Sequence, residues 1–188
     1  METTRSAQRW WLLSARGVIY VLIGVFMFVF SANYSAQSAS IIGVLAVVAG
    51  ILGFIFAFTN ERSDRNNIWG IMHGVADIGF GIALFVYSSG TIKGFVDVLG
   101  FWAMMYAFLQ SVQAMYVFMS ARGATVTNYP AKYIHFANVL VSGGLAFTIL
   151  MRPRGFDDSL GMVGIFPIIL GALIVALSFQ LKAQAERY

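Results

Sequence analysis

The chain predicts an all-α integral membrane protein, six transmembrane helices arranged as three parallel helical hairpins in a pseudo-threefold bundle. Three observations lead there. Of 188 residues, 59% are hydrophobic and 11% charged, with a mean hydropathy of +0.78. Soluble domains hold about a quarter charged residues, and a soluble core of this size cannot hide so much apolar side chain. Six long apolar runs alternate with short polar breaks, and a span needs roughly 20 mostly apolar residues. The runs also repeat one another at nearly constant offset.

The expected spans are about 9–31, 39–59, 67–88, 93–120, 131–151 and 159–182. The first follows a basic stretch, "METTRSAQRWWLLSARG", which lacks a convincing small-residue cleavage site and reads as the start of a membrane helix, not as a removed signal peptide. The second follows "SANYSAQSAS". The third follows "NERSDRNN" and holds His73 and Asp77. The fourth follows "YSSGTIKG" and contains Gln110, Ser111 and Gln113 near its middle, where amides bond neighbouring helices. The fifth follows "SARGATVTNYPAK" and holds His135 and Asn138. The sixth follows "MRPRGFDDS", with Pro167 as the candidate kink, and runs into "KAQAERY". Runs this long without a period of two are not strands, and backbone satisfaction in lipid leaves helices. The whole chain, 1–188, is read as one membrane domain.

Orientation follows from Lys and Arg. Arg5, Arg9, Arg16, Arg62, Arg65, Arg122, Lys132, Lys182 and Arg187 fall on one side, and Lys93, Arg152 and Arg154 on the other. Nine against three places both ends of the chain in the cytoplasm. Trp10, Trp11, Trp69 and Tyr133 then form an aromatic belt at that face. Lys93 and Asp97 pair at the opposite headgroup level, and Asp157 and Asp158 complement the start of the sixth helix.

The hairpins align over residues 9–59, 67–120 and 131–182. Arg16-Gly17 matches His73-Gly74 and His135-Phe136. Gly24, Gly81 and Gly143 share a column, as do Phe28, Phe85 and Phe147. On the second helices Gly43 matches Gly100 and Gly164, and Gly50 matches Ala107 and Gly171. Two helices per repeat give every repeat the same direction through the membrane. Gly24, Gly81, Gly143, Gly50 and Gly171 are expected at helix contacts, because lipid offers no hydrophobic drive and close backbone approach must supply the association.

Three hairpins, each opening near a Trp or an Arg-Gly, with a glycine about one heptad on and a paired-glycine second helix, resemble the HdeD-type acid-resistance membrane proteins. The resemblance covers residues 9–182. It implies a small bacterial inner-membrane protein tied to acid or envelope stress, and it brings no active-site residues with it.

Arg16, His73 and His135 share one repeat position, which places them at one depth. Asp77 lies one turn beyond His73 on the same helical face. Tyr20 is its counterpart on the first helix, and Asn138 falls one residue short of that place on the fifth. An ionisable group inside a span is costly and marks function by default. The layer Arg16, His73, Asp77, His135 and Asn138 is therefore the candidate site, either as proton-responsive groups, since His titrates most readily near neutral pH, or as polar packing. His73 and His135 are a weak match to haem ligation, which Arg16 beside them disfavours. No cofactor or metal is expected.

No nucleotide loop, zinc motif or nucleophile elbow is present, the breaks between spans are short, and there is no cysteine. A non-enzymatic membrane protein is the leading expectation. A small transporter or channel for a proton-coupled or polar solute is the alternative, as is a structural subunit of a membrane complex. Membrane lipids are the expected surroundings, with a homo-oligomer or another membrane protein as possible partners. The basic balance reflects topology, not nucleic-acid binding.

Overall fold

The computed structural model describes residues 9–30, 35–60, 68–87, 91–120, 129–151 and 163–185. They form six helices: α1 (Trp10–Phe30), α2 (Ala36–Asn60), α3 (Ile68–Tyr87), α4 (Ile92–Ser120), α5 (Tyr129–Met151) and α6 (Ile165–Ala185). Among the described residues there is no strand. Arg152, Arg154, Asp157 and Asp158 lie outside them, as do the breaks that orient the chain around Arg62, Arg65 and Arg122.

Two helix starts are set by capping. Ser35 Oγ accepts from Ser38 N at 3.3 Å while its carbonyl accepts from Ala39 N at 3.0 Å, so α2 begins three residues before the expected position. Thr91 does the same for α4, accepting from Gly94 N at 3.1 Å and Phe95 N at 3.0 Å. Each cap satisfies amides that a helix start leaves without partners. Pro167 is the third residue of α6. In a first turn its missing N–H costs nothing, so it marks a helix start where the sequence suggests a mid-span kink.

Five helices, all but α5, are long and apolar enough to cross a membrane by length and composition. α5 holds Lys132, His135, Asn138, Ser142 and Thr148, and such residues lower the drive to insert. Apolar side chains cover the outside of the bundle. Phe28, Phe85 and Phe147, one column of the repeat, are all exposed there. An exterior of this kind on a buried-core bundle is what a lipid solvent requires.

The helices form a closed ring. Each packs on its neighbours in sequence, and α6 returns to α1. Arg9 at the start of α1 bonds Thr59 at the end of α2, Trp69 meets Tyr116, and Lys182 near the end of α6 sits over the Trp10 ring. Starts of odd helices and ends of even helices thus share one end of the ring, and successive helices are antiparallel.

The tightest junctions lie between hairpins: α2 with α3, α6 with α1, and α4 with α5. Glycine explains the first two. A Cβ on Gly24 would sit 2.3 Å from the Gly164 carbonyl, and one on Gly171 2.4 Å from the Gly17 carbonyl. At the α2–α3 junction a Cβ on Gly50 would meet the Gly74 carbonyl at 2.7 Å, and one on Gly81 the Gly43 carbonyl at 2.5 Å. Real side chains do not come this close to backbone, so these positions accept only hydrogen. The third junction differs. Gly100 faces the Ile149 side chain, and a Cβ on Gly143 would meet nothing within 4 Å. Gly143 is therefore not a packing glycine. Ala107 and Phe136 occupy the columns that hold glycine at the other two junctions, and without those glycines the α4 and α5 backbones do not close in the same way.

Candidate functional site

Asp77 is the centre of the polar interior. It is 1% exposed, and its carboxylate accepts four hydrogen bonds from three other helix positions. Arg16 Nη2 and Nε donate to Oδ2 at 2.8 and 3.3 Å. Tyr20 Oη donates to Oδ1 at 2.5 Å, and Trp102 Nε1 donates to the same oxygen at 3.3 Å. Arg16 and Tyr20 are one turn apart on α1, Asp77 is on α3 and Trp102 is on α4. α1 and α3 are not neighbours in the ring, so this ion pair reaches across the interior. Gly53 of α2 lies against it; a Cβ there would be in ordinary contact with the Arg16 guanidinium, 3.7 Å away.

Aromatic rings wall the pair in. Tyr20, Trp102 and Tyr106 lie with centroids 5.1–5.9 Å apart, and Phe80 stacks on Trp102 at 4.9 Å. Such walls exclude water and strengthen the electrostatic interactions they enclose. Beyond Asp77, a void with room for about one water is bounded by Tyr20, Ala46, Phe80, Leu99, Trp102 and Pro167. Further along, the interior is apolar. Met27, Ile42, Leu84, Phe95, Leu145 and Ile149 are all buried.

Toward the Lys- and Arg-rich end the interior stays polar. His73 is buried, its ring 4.8 Å from Tyr106, with Nε2 3.1 Å from Gln113 Oε1. His135 is buried on α5. Asn138 and Gln110 are buried near them. All five residues of the layer expected from sequence are thus interior, but their pairing is not sequential. His73 bonds Gln113 across to α4, while Asp77 bonds Arg16, Tyr20 and Trp102. Ser111 is exposed and bonds its own helix at Ala107 O, 2.8 Å away. Lys93 and Asp97 are exposed at the start of α4.

Trp102 and Tyr106 were not among the residues singled out from sequence. Their signal is a spacing: Trp102, Tyr106, Gln110 and Gln113 recur at helical intervals along one face of α4. Among the described residues, no three His, Asp or Glu side chains come together as metal ligands would.

Residues 15–86 match the model of a short repeat of unknown function, DUF308. That stretch runs from α1 into α3 and contains Arg16, Tyr20, His73 and Asp77. No curated protein and no solved structure matches the chain. The apolar helices mark a small multi-pass membrane protein, and residues 15–86 of it are similar to the DUF308 repeat.

Proposed function

We propose that this chain is a non-enzymatic protein of a bacterial inner membrane, with six spans in three parallel hairpins and both ends cytoplasmic, and that it responds to acid as the HdeD-type stress proteins it resembles are expected to. The observation that carries this reading is the Arg16–Asp77 ion pair, buried across the ring, with two histidines beside it. Burying ionisable groups inside a membrane bundle is costly, and a response to protons is a use that fits them. The antiparallel run of successive helices and the alternation of tight and looser junctions support the hairpin arrangement.

The response works through charge. A proton taken up by His73 places a second cation near Arg16. Facing that layer are Arg16 and Tyr20 from α1, Asp77 from α3, Tyr106 from α4 and His135 from α5. Among the described residues, α2 and α6 bring no titratable group to it. Asp77 is already committed to Arg16, so the new charge meets no free carboxylate and loosens α3 and α5 from the rest. The test is thermal stability of purified protein from pH 7.5 down to pH 5 for wild type, His73→Gln and His135→Gln. Wild type should lose stability on the acid side, and the loss should shrink in both variants. Superimposable curves for all three would reject the response.

The polar interior of α3, α4 and α5 favours a second reading, a small transporter of a polar solute. Solute flux into proteoliposomes above that of empty vesicles would select it.

A further inference from the structure

Serine and threonine side chains in these helices satisfy themselves. Ser142 donates to Asn138 O at 2.6 Å, Ser178 to Val175 O at 2.7 Å and Thr148 to Gly144 O at 2.8 Å. Longer side chains in the same interior do not. Among the described residues, five side-chain atoms are buried without a hydrogen-bond partner: Gln180 Oε1 on α6, and His73 Nδ1, Gln110 Oε1, His135 Nδ1 and Asn138 Oδ1. The last four come from α3, α4 and α5. Buried polar atoms are almost always paired, and each exception calls for an explanation.

The chemistry of the set is one-sided. Gln113 Oε1 only accepts, so His73 Nε2 carries the hydrogen in the neutral ring, and Nδ1 presents a lone pair. Gln110 Oε1 and Asn138 Oδ1 are carbonyl oxygens. Three of the four atoms are acceptors, and the complement of acceptors is a donor. Charge narrows it further. Arg16 is matched by Asp77, and the other described carboxylate, Asp97, lies at the opposite end of the ring. A cationic ligand would meet Arg16 with no carboxylate left to answer it.

We propose that the Lys- and Arg-rich half of the ring, between α3, α4 and α5, is a binding site for a small uncharged molecule that donates hydrogen bonds. Water qualifies, as does a small hydroxyl or amide solute. The site is closed toward the other face by the apolar layer from Met27 to Ile149. It lies beside the α4–α5 junction, where glycine does not bring the backbones together as it does at the other two. It stands apart from the acid response, since neither the ligand nor the closure depends on a protonation step.

The chain has no cysteine, so single thiols report on the interior directly. Asn138→Cys and the near-isosteric Ser142→Cys sit in the polar half, and Ala146→Cys, one turn further along α5, sits at its apolar limit. Each purified variant, checked for a cooperative thermal transition, is treated with iodoacetamide, a small neutral amide. Cysteines at 138 and 142 should react about tenfold faster than at 146, since reactivity follows access. Slowing by acetamide or glycerol identifies a solute site, and fast reaction without slowing identifies water; either supports the shared chemistry. Equally slow reaction at all three positions would overturn the site, and equally fast reaction would overturn its closure. Ser142→Cys keeps the result decisive where Asn138→Cys fails to fold.

Discussion

Glycine in this ring is two different residues. Gly24 has a backbone carbonyl where its Cβ would go, and Gly143 has open space. They share a column of the repeat and a letter in the sequence, yet opposite outcomes follow. Gly24→Ala must push α1 away from α6, and overpacking of this kind costs about 1–3 kcal/mol. Gly143→Ala adds a methyl to empty space and gains helix propensity, so it should be neutral or slightly stabilising. Thermal unfolding in one detergent checks both; equal losses would mean the third junction closes on glycine after all. The polar residues make the same point. The spacing of His73 and Asp77 assigns them one face but does not choose their partners. His73 goes to Gln113 and Asp77 to Arg16 because α4 and α1 stand opposite those two turns of α3.

At the scale of elements, the ring has two kinds of seam. Glycine carbonyl-to-Cα approaches close α1 on α6 and α2 on α3, where van der Waals contact substitutes for the hydrophobic effect that lipid removes. Across the ring, α1 is tied to α3 by one ion pair. Removing one partner of a buried pair leaves a charge without compensation, which costs about 3–5 kcal/mol. Asp77→Ala should therefore destabilise the bundle by that amount. The double variant Arg16→Met with Asp77→Leu should recover most of it, because a well-packed apolar pair of similar size often matches a buried ion pair. A double variant no better than Asp77→Ala would show that Tyr20 and Trp102 depend on the carboxylate as much as Arg16 does.

The whole molecule is divided by depth more than by hairpin. One half of the interior holds Arg16, His73, Asp77, Gln110, His135 and Asn138, and the other is apolar apart from Ser38 at the start of α2. The Lys and Arg bias belongs to the same end as the polar half, since Arg9, Lys132 and Lys182 meet Thr59, Phe118 and Trp10 there. That coincidence makes topology a strong test of the proposed orientation. Single cysteines at Ser35, Gly90 and Asp157 should be labelled by an impermeant reagent from the periplasmic side, and one at Asn66 from the cytoplasmic side. The reverse pattern would invert the protein and turn its polar half outward. A cysteine at Asp157 labelled from the same side as Asn66 would mean that α5 does not cross, which its polar content makes the informative case.

Membrane class, the helices and the polar residues inside them were legible from residue types and spacing alone, because hydropathy and the 3.6-residue period are properties of a chain read in one dimension. That Arg16, His73 and His135 fall inside apolar runs needed no structure. Which side chains meet is a different matter. Arg16 and Asp77 are 61 residues apart, and they pair because the ring sets α1 across from α3. Trp102 and Tyr106 join them because α4 turns one face inward. Gly143 stands free although Gly24 and Gly81, aligned with it, do not. Sequence spacing assigns a residue its helix and its face. Contact depends on the distance and rotation between helices, and those are settled only when all six pack at once.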